Sequence, residues 1–219
     1  MFAFCFSMCG KIKIYTYVGG IAMCGRYQLD YEFEQLMFRF NAYNHYIGYG
    51  TKYEIFPTDM VAIVTREGNQ NFIDSAKWGL DNYYDKRPLI NARSETIDEK
   101  KTFRSLFANG RCIIPATGFF EWQKSSDNTK TKMLISVEDA PVFGMAGLYK
   151  IEPDASGNII KKCTIITTSA NQQMSEIHDR MPVILNHDAE NIWMDNSIND
   201  LLMLKDFLKP YSNHLFFHR

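Results

Sequence analysis

What this sequence lacks narrows its possibilities first. It has no C-x-x-C pair, and its five cysteines, Cys5, Cys9, Cys24, Cys112 and Cys163, are odd in number and unevenly spaced. That pattern argues against a disulfide-stapled secreted domain. Neither the cysteines nor the five histidines cluster at ligand spacing, so no metal and no cofactor is expected. No apolar run reaches the ~18 residues of a membrane span. The opening "MFAFCFSMCGKIKIYTYVGGIA" has no positive charge ahead of its apolar part and is broken by Lys11 and Lys13, so it reads as neither a span nor a signal peptide. An excess of charge of one sign is missing too. The formal net charge is −1, so attraction to a polyanion has to come from a local basic patch. The reducing cytoplasm is the default compartment, with no membrane partner.

What is present suits one globular domain. Hydrophobic residues make up 46% of 219, enough for a sizeable core, and no repeat or linker divides the chain. From Asp30, "DYEFEQLMFRF" sets Phe33, Leu36, Met37 and Phe40 at helical spacing behind a capping-type Asp. The Tyr-, Asn- and Gly-rich stretch that follows, up to Tyr53, reads as a loop. "MVAIVT" reads as a strand and "SAKWGL" as a strand end. "TIDEKKTFRSLFANG" has the Thr96 cap, acidic first turn, apolar Phe103/Leu106/Phe107 face and closing Gly110 of a helix. "RCIIPATGFFEWQK", "TKMLISVE", "PVFGMAGLYK" and "IIKKCTIITTS" then succeed one another between turn-formers, as in an antiparallel sheet. Helical patterns return in "ANQQMSEI" and from Asp188 to Leu208. Helices flanking consecutive strands, without βαβ alternation, predict an α+β fold with a mostly antiparallel core.

Four places carry chemistry. In "AMCGRYQLD", Cys24 follows a Met that amino-terminal processing tends to remove. A cysteine with a free α-amine is a 1,2-aminothiol: its amine condenses with an aldehyde and its sulfur closes a five-membered thiazolidine ring. Reference pKa values of about 8 for the amine and about 8.5 for the thiol supply both nucleophiles near neutrality. The plainer reading is a buried core cysteine. In "LINARSET", Asn91, Arg93 and Glu95 share a face if extended, which suits a phosphate or sugar, or else they form a capped turn. In "PATGFFEWQ", Glu121 lies between Phe120 and Trp122. It is either a carboxylate held near neutral pH by apolar surroundings or the solvent-facing member of an alternating strand. Trp122 also offers a surface on which a base can stack. In "EIHDRMPVIL", His178 and Arg180 sit at an element boundary, where side chains reach a site or simply face water.

In this order, "MCGRY", "YEIFPT", "KWGL", "NARSET", "RCIIPATGFFEWQ" and "HDRMPVIL" resemble the successive motifs of the SRAP (SOS response-associated peptidase) family, from residue 23 to about 195. The resemblance implies the family's barrel-like β core. It also implies a covalent thiazolidine crosslink to abasic sites in single-stranded DNA, the expected partner, made by a monomer. By position, Cys24 matches the nucleophile, Asn91 an orienting amide, Glu121 the acid/base, and His178 a residue of ring opening and crosslink reversal. Arg26, Arg93 and Arg180 match basic residues of a DNA groove, with Pro57, Trp78 and Trp122 in or near it. The sequence departs from the pattern in two ways. With residues 1–22 and Met23 ahead of it, the Cys24 nitrogen is an amide. Translation from Met23, cleavage of the extension (the family is credited with autoproteolytic removal) or an impaired copy would each account for this. The first is the expectation, and the working domain is then 23–219; Met8-Cys9-Gly10 imitates that start without the following "RY". Glu54 stands where the family usually carries Asn and adds an acid to a DNA-facing loop. Competing readings are a peptidase-like hydrolase with Cys24, His178 and Asn91 as its catalytic set, or a noncovalent single-strand binding module.

Overall fold

The computed structural model describes residues 24–45, 52–82, 84–138, 140–154 and 156–219. The anticipated extension, with Cys5 and Cys9, lies outside them. The first part of the chain contributes β1 (Arg26–Leu29), α1 (Phe33–Arg39), β2 (Ala42–Asn44), β3 (Lys52–Ile55), β4 (Met60–Glu67), β5 (Gln70–Trp78) and β6 (Asn91–Arg93). Then come α2 (Lys101–Asn109), β7 (Arg111–Ala116), β8 (Gly118–Lys124), β9 (Lys130–Val137), β10 (Phe143–Pro153) and β11 (Ile159–Ser169). The chain finishes with β12 (Arg180–Pro182), β13 (Ile184–Leu185), α3 (His187–Met194), α4 (Leu201–Asp206) and β14 (Leu215–His218).

Five strands close on themselves. β5 pairs with β4, β4 with β7, β7 with β10 and β10 with β11, all antiparallel, and β11 returns to β5 in parallel. Closure removes the exposed edges an open sheet would leave. β6 runs parallel to β11, and β12 lies antiparallel to it. A second, wholly antiparallel sheet has the order β14-β9-β8-β1-β3. The fold is therefore α+β and mostly antiparallel; among the described residues the parallel pairings are β2 with β5, β11 with β5 and β6 with β11.

"RCIIPATGFFEWQK" is not one strand but two, in different sheets, with Thr117 between them. Thr117 is tied to β1 on both sides: its N–H donates to Gln28 O at 2.8 Å, and its Oγ1 accepts from Asp30 N–H at 3.2 Å. β7 is buried along its whole length because α2 and α3 pack outside it. Its first residue, Arg111, is fully buried and donates to the carbonyls of Phe107, Ala108, Trp193, Asp195 and Ile198. One buried guanidinium thus satisfies the ends of two helices, where carbonyls lack helical partners. Gly144 on β10 allows Glu190 to come close: a Cβ there would lie 2.5 Å from Glu190 Oε1, the oxygen that accepts from Arg39 Nη2 at 2.8 Å.

Several sequence expectations shift. α1 is capped at Glu32, not Asp30; Gln35 Oε1 accepts from Glu32 N–H at 3.3 Å. α2 starts at Lys101, not after Thr96, because Ser94–Thr96 form a separate 3-10 turn and Asp98 is drawn to Lys205 Nζ at 2.7 Å. The stretch read as a loop up to Tyr53 contains β2 and the start of β3. "ANQQMSEI" makes only the 3-10 turn Met174–Glu176, and the pattern from Asp188 to Leu208 divides into α3 and α4. α3 begins where Asn186 Oδ1 accepts from Ala189 N–H, and α4 where the Asp200 side chain accepts from Met203 N–H.

Candidate active site

Cys24 lies just ahead of β1 and is 3% exposed, with φ at +43°, a left-handed conformation uncommon for a residue with a side chain. β1 pairs with β8, placing Arg26 opposite Phe120. That register brings the Cys24 backbone nitrogen to Glu121, and its N–H donates to Glu121 Oε1 at 2.7 Å. Glu121 is 2% exposed. The solvent-facing alternative for Glu121 therefore fails: both faces of β8 are covered at this point, since Phe120 is buried too.

Burial raises the pKa of Glu121, opposed by the His178 charge and by the N–H groups of Cys24 and Trp122. Burial, and then the Glu121 charge and a hydrogen bond to it, push the Cys24 thiol well above its usual value; Arg180 pulls weakly the other way. The sulfur is thus a thiol at neutral pH, contrary to the thiolate fraction expected from reference values. Its proton needs an acceptor when the sulfur reacts, and Glu121 is beside it.

His178 follows the Met174–Glu176 turn, and its Nδ1 lies 2.9 Å from Asp179 Oδ1 and 3.1 Å from the Arg180 N–H. A bare Nδ1 accepts from Arg180 and leaves the ring proton on Nε2; a protonated Nδ1 donates to Asp179 instead. Arg180 is buried. Its guanidinium grips both Glu95 oxygens, with Nη2 at 2.9 Å from Oε2, and the same Nη2 donates to Thr167 O at 2.8 Å. These bonds hold Glu95 below the usual carboxylate range. Arg180, expected on a DNA surface, is thus committed to an internal ion pair beside Cys24. Asn91 is half-buried at the start of β6, aligned with Ile165, and Arg93, exposed, is aligned with Thr167 on the same β11 segment that Arg180 joins.

The outer surface is built on β1, β3, β8 and β9. Arg26 lies 4.7 Å over the Phe56 ring and 5.0 Å over that of Trp122, and Lys132 lies 4.1 Å over Phe120. Both cations bond to Glu54, which sits on β3 and not in the expected loop. Pro57 is half-buried in the turn that follows, next to exposed Phe56. Trp78 does not join them. It is 1% exposed, packs edge-on against Tyr27 and donates from Nε1 to Ile90 O, so it offers no face to a base. Sequence reading missed Lys132, Phe56 and exposed Tyr53. A register of Trp122 opposite Lys132 would have pointed to Lys132, but register is not readable in one strand alone.

Among the described residues no group of three or more His, Cys, Asp or Glu could hold a metal ion, and no helix is long and apolar enough to cross a membrane.

A closed β-barrel abutting a second sheet carries a buried cysteine–carboxylate pair beside a surface of cations on aromatic rings. The family described as SOS response associated peptidase (SRAP) matches residues 23–219, and the chain belongs to it. It is 36% identical over 197 residues to the abasic site processing protein YoqW of Bacillus subtilis, covering 86% of this chain and 88% of that one. Identity to the abasic site processing protein YedK of Escherichia coli is 32% over 149 residues, covering 68% and 66%. A solved structure from Bacteroides thetaiotaomicron matches with a TM-score of 0.79 at 26% identity, covering 90% of this chain and 92% of that one.

Proposed function

We propose that this protein captures abasic sites in single-stranded DNA covalently, through a Cys24 whose α-nitrogen is a primary amine. The observation that carries this reading is the 2.7 Å bond from Cys24 N–H to a buried Glu121. A carboxylate is needed there if that nitrogen must lose a proton, and has little purpose beside an inert amide. The relatives' name, abasic site processing protein, agrees.

The amine adds to the C1′ aldehyde of the ring-opened sugar, giving a carbinolamine. Glu121, with its raised pKa, suits the transfer of a proton to the leaving hydroxyl, and water departs to leave a protonated imine, whose nitrogen keeps its hydrogen, and the Glu121 carboxylate. The Cys24 thiol then adds to the imine carbon: the C–S bond forms, the C=N π electrons return to nitrogen, and the sulfur proton passes back to Glu121. The net change is amine plus thiol plus aldehyde to thiazolidine plus water. His178, within electrostatic reach of Glu121, is suited to ring opening of the sugar and to reversal, with Asn91 as the orienting amide. Arg26 and Arg93, with Trp122 and Pro57 in or beside the surface, would carry the strand. A papain-like set is less well supported, because burial of Cys24, and after it the charge of Glu121, disfavours the thiolate such chemistry needs.

The test uses protein beginning at Cys24 and single-stranded oligonucleotides with and without one abasic site. A denaturation-resistant shift confined to the lesion supports the proposal. Salt-sensitive binding to both strands with no such shift leaves a noncovalent module. The same chain with residues 1–22 attached should not crosslink, since its Cys24 nitrogen is an amide; crosslinking by that form would exclude ring closure through the nitrogen.

A further inference from the structure

Between Arg26 and Lys132 sits a carboxylate with no part in this chemistry. Glu54 Oε1 accepts from Arg26 Nη1 at 2.9 Å and Oε2 from Lys132 Nζ at 2.7 Å. Its side chain is 20% exposed and those of both cations 37%, so solvent reaches the group. Burial alone would raise the Glu54 pKa, but the bonds from Lys132 and Arg26 outweigh it and hold the carboxyl below the usual range, ionised at neutral pH. Each cation has a second anchor: Arg26 lies over Phe56 and Trp122, and Lys132 over Phe120. Those rings keep both cations in place without Glu54. Two cations aimed at one pair of acceptor oxygens make a receptor for a phosphodiester, whose two non-bridging oxygens accept as a carboxylate's do.

Resting on the reading that this face takes single-stranded DNA, we infer that Glu54 is a specificity-determining residue: it occupies a backbone-phosphate position between Arg26 and Lys132 and competes with the strand for it. A phosphate arriving there must displace two ion pairs or bind beside a like charge. Undamaged strand, held only by such contacts, is released readily. Strand carrying an aldehyde is retained by the covalent step, in which Glu54 takes no part. Glu54 thereby shifts selectivity away from backbone affinity and onto the lesion.

The test is equilibrium binding of the full chain to a short fluorescent oligothymidylate over a range of salt concentrations. Glu54→Gln is expected to bind roughly two- to tenfold tighter at about 0.1 M salt, the gain from freeing two part-exposed ion pairs. The slope of log K against log salt should steepen by about 0.7, one additional phosphate contact. The gain should shrink when Lys132→Gln is added. Glu54→Asn removes the same charge and is expected to act in the same direction should the Gln variant fail to fold. Equal or weaker binding by folded charge-removal variants, with an unchanged slope, overturns the inference and makes Glu54 a residue that positions the cations. Failure of wild type and variants alike to bind the strand defeats the single-strand reading itself and the inference with it, a result distinct from a wild type that binds and a variant that gains nothing.

Discussion

A carboxylate 2% exposed in the middle of a sheet opposes folding, and Glu121 is such a group. Burial raises its pKa in the native chain, so the native state keeps this proton at pH values where the unfolded chain, with a pKa of about 4.3, has released it. The linked stability is fully present below the unfolded value and is lost as pH rises through the raised native one. Glu121→Gln, which cannot ionise, is therefore expected to melt above wild type at pH 8 but not at pH 4. Equal melting at both would mean that Glu121 is not shifted upward. The same substitution should slow adduct formation by roughly 10²–10⁴-fold, the contribution of a general acid/base, measured as single-turnover crosslinking; an unchanged rate removes Glu121 from the mechanism. Cys24→Ser should all but abolish stable adduct, because oxygen closes the ring poorly and reversibly, whereas wild-type yield from it would contradict the sulfur's role. Three of the motifs in the sequence supply groups that the fold places beside one another. "MCGRY", "GFFEWQ" and "HDRMP" name the groups that Cys24 N–H, Glu121 and the His178 charge bring together.

Strands were readable where composition and turn-formers mark them, and helix limits were not, because tertiary partners decide them. Asp98 looks like the first turn of α2 but is held outside it by Lys205, more than a hundred residues away. Alternation misleads in β8 because a strand covered on both faces has no solvent side to reveal. Trp78 shows the converse: in "KWGL" nothing separates a tryptophan of the core from one on a surface, and only its packing on Tyr27 does so. Arg111 illustrates what an isolated charge can do for whole elements. Replacing it by Met leaves carbonyls of α2 and of the chain following α3 without their buried donor. Arg111→Met is expected to destabilise the fold by about 3 kcal/mol or more in chemical denaturation. A loss below about 1 kcal/mol would mean that water takes over those carbonyls.

A chain with net charge −1 can hold nucleic acid only through local cations. Arg180 is committed to Glu95, and Arg26 and Lys132 to Glu54. For undamaged single strands the wild-type slope of log K against log salt is accordingly expected near about −2, two to three phosphates, and a slope steeper than about −4 would reveal a larger cationic track. From β7 of the barrel to β8 of the second sheet the chain passes through one residue, Thr117, which bonds to Gln28 and Asp30. A linkage that short leaves no slack. Grafting the Glu121-bearing sheet from one relative onto the barrel of another should succeed only when the splice avoids this joint, and lengthening the joint by even one glycine should disable chemistry while sparing the fold.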